Sequence, residues 1–93
     1  MLRILLSKRA KDFLKSISKK HAKQITDKIE KLANDINSVP TIKIKGANKL
    51  HRAKSGEYRI IFKIENNTLI LEVVSIGKRN DDEVYKNLDY LDN

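Results

Sequence analysis

Ninety-three residues suffice for one domain with a single modest core, and the lack of cysteine excludes disulfides and thiolate metal ligands while fitting a reducing compartment. No apolar run reaches the ~18 residues of a membrane span, and the opening Met-Leu-Arg-Ile-Leu-Leu-Ser-Lys-Arg lacks the apolar stretch and small-residue cleavage site of a signal peptide. One cytoplasmic domain over residues 1–93, with no membrane partner, is therefore expected. Lys and Arg number 20 against 12 acids, a net +8, and the excess is uneven: residues 1–79 hold 19 bases and 7 acids, whereas residues 80–93 hold five acids and Lys86. Such a density of cations attracts polyanions, because neutralised phosphates release condensed counterions. A solubilising lysine face has the same composition, so charge alone does not choose between the two.

Leu2, Ile4 and Leu6 alternate with Arg3 and Leu5, a short strand with one apolar face. Ser7 can cap the helix that follows, in which Ala10, Phe13, Leu14 and Ile17 recur at helical spacing and Lys8, Lys11, Asp12 and Lys15 lie toward water. Residues 16–20 break it. A longer helix then carries Ile25, Ile29, Leu32, Ala33 and Ile36 on one face, with Asp27 and Lys31 as an i,i+4 pair, and must end before Pro40.

After Pro40 the period changes to two. Ile42 and Ile44 alternate with Lys43 and Lys45, Gly46 and Asn48 permit a turn, and a strand from about Leu50 to Lys54 meets a tight connection at Ser55-Gly56-Glu57. In the next strand Tyr58, Ile60, Phe62 and Ile64 share one face, and Arg59, Ile61 and Lys63 share the other. Asn66-Asn67 forms a turn, residues 68–76 suit a central strand, and Gly77 ends it. Asn80 with Glu83 three residues on supplies a helix start, and Val84, Leu88 and Leu91 supply its apolar stripe. The fold class is α+β: a β-α-α-β-β-β-β order, an antiparallel sheet packed against a two-helix hairpin that leaves its other face partly open, and a short acidic C-terminal helix.

Missing motifs narrow the chemistry. There is no cysteine nucleophile, no glycine-rich phosphate loop and no paired-histidine or paired-cysteine metal spacing, so neither metal nor cofactor is expected. His21 reads as a boundary residue of the second helix, and His51 should point opposite to Arg52 by strand parity. The acids sit on helix surfaces or in the C-terminal cap, where solvation and helix-dipole compensation explain them. What remains is cationic: Arg52 and Lys54 on one strand, Arg59 on its partner, and Lys78 and Arg79 at the end of the central strand. Arginine offers phosphate a permanently charged planar fork, and Tyr85 can stack on a base. RNA suits such a grip because its 2′-hydroxyl is a built-in nucleophile: a protein that splays the strand and stabilises the negative phosphorane needs no metal. Singly, Arg59 is an exposed strand arginine and Arg79 a loop charge; Tyr85 makes the set meaningful.

The run Leu50-His51-Arg52-Ala53-Lys54-Ser55-Gly56-Glu57-Tyr58-Arg59-Ile60-Ile61-Phe62 resembles the central hairpin of the RelE/ParE superfamily, toxins of type II toxin-antitoxin pairs. Val74-Ser75-Ile76-Gly77-Lys78-Arg79, followed by Glu83-Val84-Tyr85, resembles the RelE ending of that pattern. The likeness spans nearly the whole chain and includes Lys43-Ile44-Lys45-Gly46 and the paired helices. It implies a RelE-like fold and a ribosome-dependent mRNA endonuclease that inhibits translation, restrained by a cognate antitoxin in a hetero-oligomer. It further implies that Arg59 contacts the scissile phosphate, Arg79 stabilises it and assists the leaving oxygen, Tyr85 stacks on or positions the substrate, and Arg52 contacts the transition state. Lys45, Lys49, Lys54 and Lys78 are the expected substrate-binding cations. One position departs: where the best-known pattern has a lysine, proposed as general base, this chain has Leu50, which leaves Lys49, Lys54 or His51 as substitutes. Two other readings follow from the same family, a ParE-like inhibitor that poisons DNA gyrase by binding, and a catalytically weak toxin acting mainly within its antitoxin complex.

Overall fold

Ser7 closes the first strand and opens the first helix, and its hydroxyl serves both. The structure, a computed structural model, describes residues 1–46, 49–65 and 67–79. Strand β1 spans Arg3–Leu6 and helix α1 spans Lys8–Ser16. Ser7 Oγ accepts a hydrogen bond from the Ala10 amide at 3.0 Å and donates one to the Val74 carbonyl at 2.7 Å. One side chain thus satisfies an orphan amide of the helix and fastens it to a strand 67 residues away. Replacing Ser7 with Ala should lower stability by ~1–2 kcal/mol, the loss of a cap plus a long-range bond, read as a reduced denaturant midpoint at unchanged m-value.

Helix α2, Lys19–Asn34, is capped by Ser18, whose hydroxyl accepts from the His21 amide at 3.2 Å. Ile25, Ile29, Leu32 and Ala33 are buried, as their spacing predicts. Ile36, expected on the same face, instead lies in a single 3-10 turn at Ile36–Ser38 and is 37% exposed. Local polar side chains win there: Asp35 accepts from the Asn37 amide at 3.0 Å, and Ser38 Oγ donates to the Asp35 carbonyl at 2.7 Å, which gives the backbone an alternative to the helix. The expected Asp27–Lys31 pair is also replaced, since Asp27 meets Lys23 at 3.1 Å on an exposed face. Such a pair contributes a few tenths of a kcal/mol.

Strands β2 (Thr41–Lys43), β3 (His51–Ser55), β4 (Tyr58–Glu65) and β5 (Ile70–Lys78) complete a five-stranded sheet of order β1-β5-β4-β3-β2. The last four strands pair antiparallel with one another, as expected. β1 instead lies parallel to β5, with Arg3 opposite Ile70 and Leu6 opposite Val73, so the sheet is mostly rather than wholly antiparallel. β5 runs through Gly77 to Lys78, beyond its expected end, because Gly77 keeps its ladder partner Arg59.

The β4–β5 register shifts between Ile61 and Phe62: Ile61 faces Ser75 and Phe62 faces Val73, which leaves Val74 as the extra residue of a bulge. Ser7 uses that irregularity, donating its amide to the Val73 carbonyl at 3.0 Å and its hydroxyl to the next carbonyl along.

The core lies between one sheet face and the helices, where Ala10, Ile25, Ile29, Leu32 and Ala33 meet Ala53, Tyr58, Ile60, Phe62, Leu71, Val73 and Ile76. At its margin the Tyr58 hydroxyl hydrogen-bonds His21 Nδ1 at 2.9 Å, and the Phe13 ring packs edge-on against Tyr58 at 5.9 Å. The boundary histidine thus pins the start of α2 to the start of β4. Tyr58→Phe keeps the ring contacts and removes the hydroxyl bond, and should cost ~0.5–1.5 kcal/mol in equilibrium unfolding; an unchanged midpoint would remove the assigned role of that bond.

Candidate nucleic-acid interface

Residues opposite one another on neighbouring strands share a face, so the register sorts the cations. Lys54 faces Arg59 across β3–β4, and Arg52 faces Ile61 one pair further along. All three point away from the helices, because Ala53, Ile60 and Phe62, which alternate with them, are in the core. Arg52 and Arg59 are half-buried and Lys54 is exposed. A half-buried arginine has part of its side chain held by the sheet, which reduces the entropy lost when phosphate binds.

On the other flank of Arg59 stands Gly77, which has no side chain to crowd the guanidinium. Arg79 follows two residues later, exposed, with its amide donating to the Glu57 carbonyl at 2.6 Å. That bond folds the chain after β5 back onto the β3–β4 turn and sets Arg79 at the same end of the sheet as Lys54 and Arg59. Gly56 shapes the turn at φ +59°, in the left-handed region that glycine enters at no steric cost.

Lys78 does not join this set: it pairs with Tyr58, whose ring lies in the core, so parity turns it toward the helix side. Lys45 and Lys49 are exposed in the connection between β2 and β3, which closes by the Ile44 amide donating to the Leu50 carbonyl at 3.0 Å. This connection enters β3 at His51, whereas Lys54 and the turn are at its far end, roughly 10–15 Å away at strand rise. Tyr85, and the C-terminal helix expected to carry it, lie outside the described residues.

The possible proton acceptors separate in the same way. Leu50 is fully buried, and His51 stacks on Phe62 at a ring distance of 5.6 Å on the helix side, as its parity predicts. Lys49 is at the opposite end of β3 from Arg59, and Lys54 stands across from Arg59. Among the described residues no three His, Asp or Glu side chains are grouped to hold a metal ion, and no helix is long and apolar enough to cross a membrane.

Two features of this region were not visible in the sequence. Ser75 shares the open face by its register with Ile61, yet both are fully buried, and among the described residues Ser75 Oγ has no hydrogen-bond partner. The β5 bulge decides which way Ser75 points, and a continuous apolar run gives no sign of a bulge. Lys28 of α2 carries no local pattern that singles it out, and it lines a cavity of about 390 Å³ at the β2 edge together with Arg52 and Lys54. A larger groove, about 550 Å³, runs between α2 and the β3–β4 turn, and its mixed lining of Asp27, Glu30, Lys28 and Lys31 does not favour an anion.

Residues 4–83 match the family described as ParE toxin of type II toxin-antitoxin system, parDE. No curated protein matches the chain significantly. Among solved structures, the fold is similar to that of a double arginine-to-alanine mutant of E. coli toxin RelE in the free state, with a TM-score of 0.80 and 18% identity, covering 97% of this chain and 96% of that one. It is also similar to a chain of the archaeal RelE-RelB complex from Pyrococcus horikoshii OT3, with a TM-score of 0.72, 21% identity and coverage of 85% and 96%. A chain of the RelB-RelE antitoxin-toxin complex from Methanococcus jannaschii matches with a TM-score of 0.64 and 27% identity over 92% of this chain and 96% of that one. With a RelE-like fold and a family match over most of its length, this chain belongs to the ParE toxins of type II toxin-antitoxin systems, within the RelE/ParE superfamily.

Proposed function

We propose that this toxin is a ribosome-dependent endonuclease that cleaves mRNA without a metal, using the RNA 2′-hydroxyl as nucleophile, and so inhibits translation. The observation that carries the reading is the convergence of Arg52, Lys54 and Arg59 on one sheet face, with Arg79 tied to the same end through Glu57. In this mechanism Arg59 grips the scissile phosphate by two oxygens, Arg79 stabilises the phosphorane charge and the leaving oxygen, and Arg52 holds the strand further along. Lys54 joins Arg59 in holding the phosphate, and Tyr85 stacks on the neighbouring base. The protein's contribution is positioning and fixed positive charge, the two terms that dominate when the substrate supplies its own nucleophile. The ribosome delivers the mRNA in the cytoplasm, and docking on ribosomal RNA draws on the positive surface of residues 1–79.

The restraining partner in this reading is an acidic antitoxin segment that folds on the toxin and covers the arginines. Solved relatives of the fold include RelE–RelB complexes, which supports such a partner. Primer extension on a reconstituted translation reaction tests the central claim: purified protein should introduce cuts in the ribosomal A site, and their absence would reject it.

The family match favours a second reading, a ParE-like inhibitor that poisons DNA gyrase by binding. The Arg79 to Tyr85 ending argues for the nuclease, since it carries the groups a cleavage reaction needs. Gyrase supercoiling and cleavage assays separate the two, and inhibition at low toxin concentration would favour the binding mode. A protein that is non-toxic on expression and inactive in both assays would be a weak toxin acting mainly in its antitoxin complex.

A further inference from the structure

The cavity at the β2 edge is lined by Lys28, Val39, Pro40, Thr41, Ile42, Arg52 and Lys54. Its volume of about 390 Å³ falls in the range of small-molecule sites, roughly 300–1,000 Å³. Val39 and Pro40 supply an apolar wall, and Ile42, 53% exposed, lies opposite Arg52 on the open face. Three cations from two elements stand around this apolar surface, and among the described residues no acid lines it. Such a lining selects a ligand that is flat and apolar in one part and anionic in another.

β2 also ends the sheet. An edge strand turns one row of N–H and C=O groups outward, unpaired by the ladder, and Thr41 and Ile42 of this strand line the cavity. The cavity thus offers an apolar surface, positive charge and a set of fixed donors and acceptors together. It is continuous with the arginine face, since Lys54 lies between it and Arg59 and Arg52 lines it directly. From Arg59 on β4 to β2 is two strand spacings, about 10 Å, within reach of an adjacent nucleotide of an extended single strand.

Building on the nuclease reading, we infer that this cavity is the subsite for a nucleotide flanking the scissile phosphate: its base rests on Pro40 and Ile42, its phosphate sits between Lys28 and Lys54, and the free edge of β2 reads the hydrogen-bonding edge of the base. The site therefore contributes to which sequences are cut. Ile42 sets the base preference, and Lys28 is a substrate-binding residue on a helix that otherwise packs the core.

The full chain, isotopically labelled, should be titrated with a trinucleotide RNA made uncleavable by 2′-O-methyl groups. Amide shifts are expected at Thr41, Ile42 and Lys54 as well as along β4. Lys28→Glu, at a half-buried position, and Ile42→Glu, at an exposed one, should each weaken binding by about tenfold while leaving the unfolding midpoint near that of the wild type. In the translation assay Ile42→Asn should redistribute the cut sites among codons. Shifts confined to the arginine strands, variants that bind as tightly as wild type, or shifts at residues 41 and 42 produced by an acidic peptide and not by RNA would each overturn the subsite. A-site cleavage that keeps its rate and codon pattern in all three variants would also overturn it and leave the nuclease reading standing. RNA-induced shifts at Thr41 and Ile42 in a protein that makes no A-site cuts would support RNA binding in the cavity and reject the nuclease.

Discussion

Replacing Arg79 with Ala should lower A-site cleavage by about 10²–10³-fold, the loss typical when one charge-stabilising group is removed from an anionic transition state. The side chain is exposed and its backbone is held by Glu57, so the substitution removes a guanidinium without opening the core. Stability should change by no more than about 0.5 kcal/mol, as at other surface positions. Arg59→Ala should have a comparable effect, and Arg59→Lys should restore only part of the activity, because an ammonium cannot reproduce the two-point grip of the fork on phosphate. The double variant should be far less than multiplicatively worse, since in the proposed mechanism both groups act on one phosphate. Primer-extension rates at matched ribosome and toxin concentrations measure all four, and an Arg79→Ala protein as fast as wild type would remove Arg79 from the reaction.

Phe62→Ala should destabilise the protein by ~3–5 kcal/mol, the largest effect expected of any single substitution here. Phe62 is 1% exposed, lies where β4 meets the bulge of β5, and carries His51 stacked on its ring. Its removal leaves a cavity between sheet and helices that the short β3 and the bulged β5 cannot close without losing ladder pairs. A domain of this size has a total stability of ~5–15 kcal/mol, so the variant should be substantially unfolded well below the wild-type midpoint. Phe62→Leu, which refills much of the space, should cost less than half as much. Urea unfolding followed by circular dichroism measures both, and a loss below ~1 kcal/mol for the alanine variant would mean that the core does not depend on this ring. The pair also provides a control for toxicity: Phe62→Ala would abolish activity through the fold, Arg79→Ala without it.

Much of the fold was legible because its signals are local. The alternation of Tyr58, Ile60, Phe62 and Ile64 with Arg59, Ile61 and Lys63 identifies a strand and its two faces from spacing alone, and helical spacing does the same for Ala10 in α1 and for Ile25, Ile29 and Leu32 in α2. Ile36 misled because apolar spacing continues past the point where Asp35 and Ser38 capture the backbone, a competition between side chains that periodicity does not register. The parallel pairing of β1 with β5 depends on where two helices return the chain, and no residue in β1 records it.

The candidate site divides along the same line. Sequence alone determined that this is a basic, cysteine-free chain of α+β class and that Arg52, Lys54 and Arg59 share a face, because strand parity is a property of the backbone and needs no knowledge of distant contacts. Only the tertiary structure decided which other cations join them. It brought Arg79 back to the β3–β4 turn through Glu57, turned Lys78 to the helix side, left Lys45 and Lys49 at the far end of β3, and set Lys28 beside Arg52 and Lys54. These placements follow from register, a bulge and the packing of a helix against a sheet edge, each fixed by contacts between residues far apart in the chain, and so no local pattern could announce them.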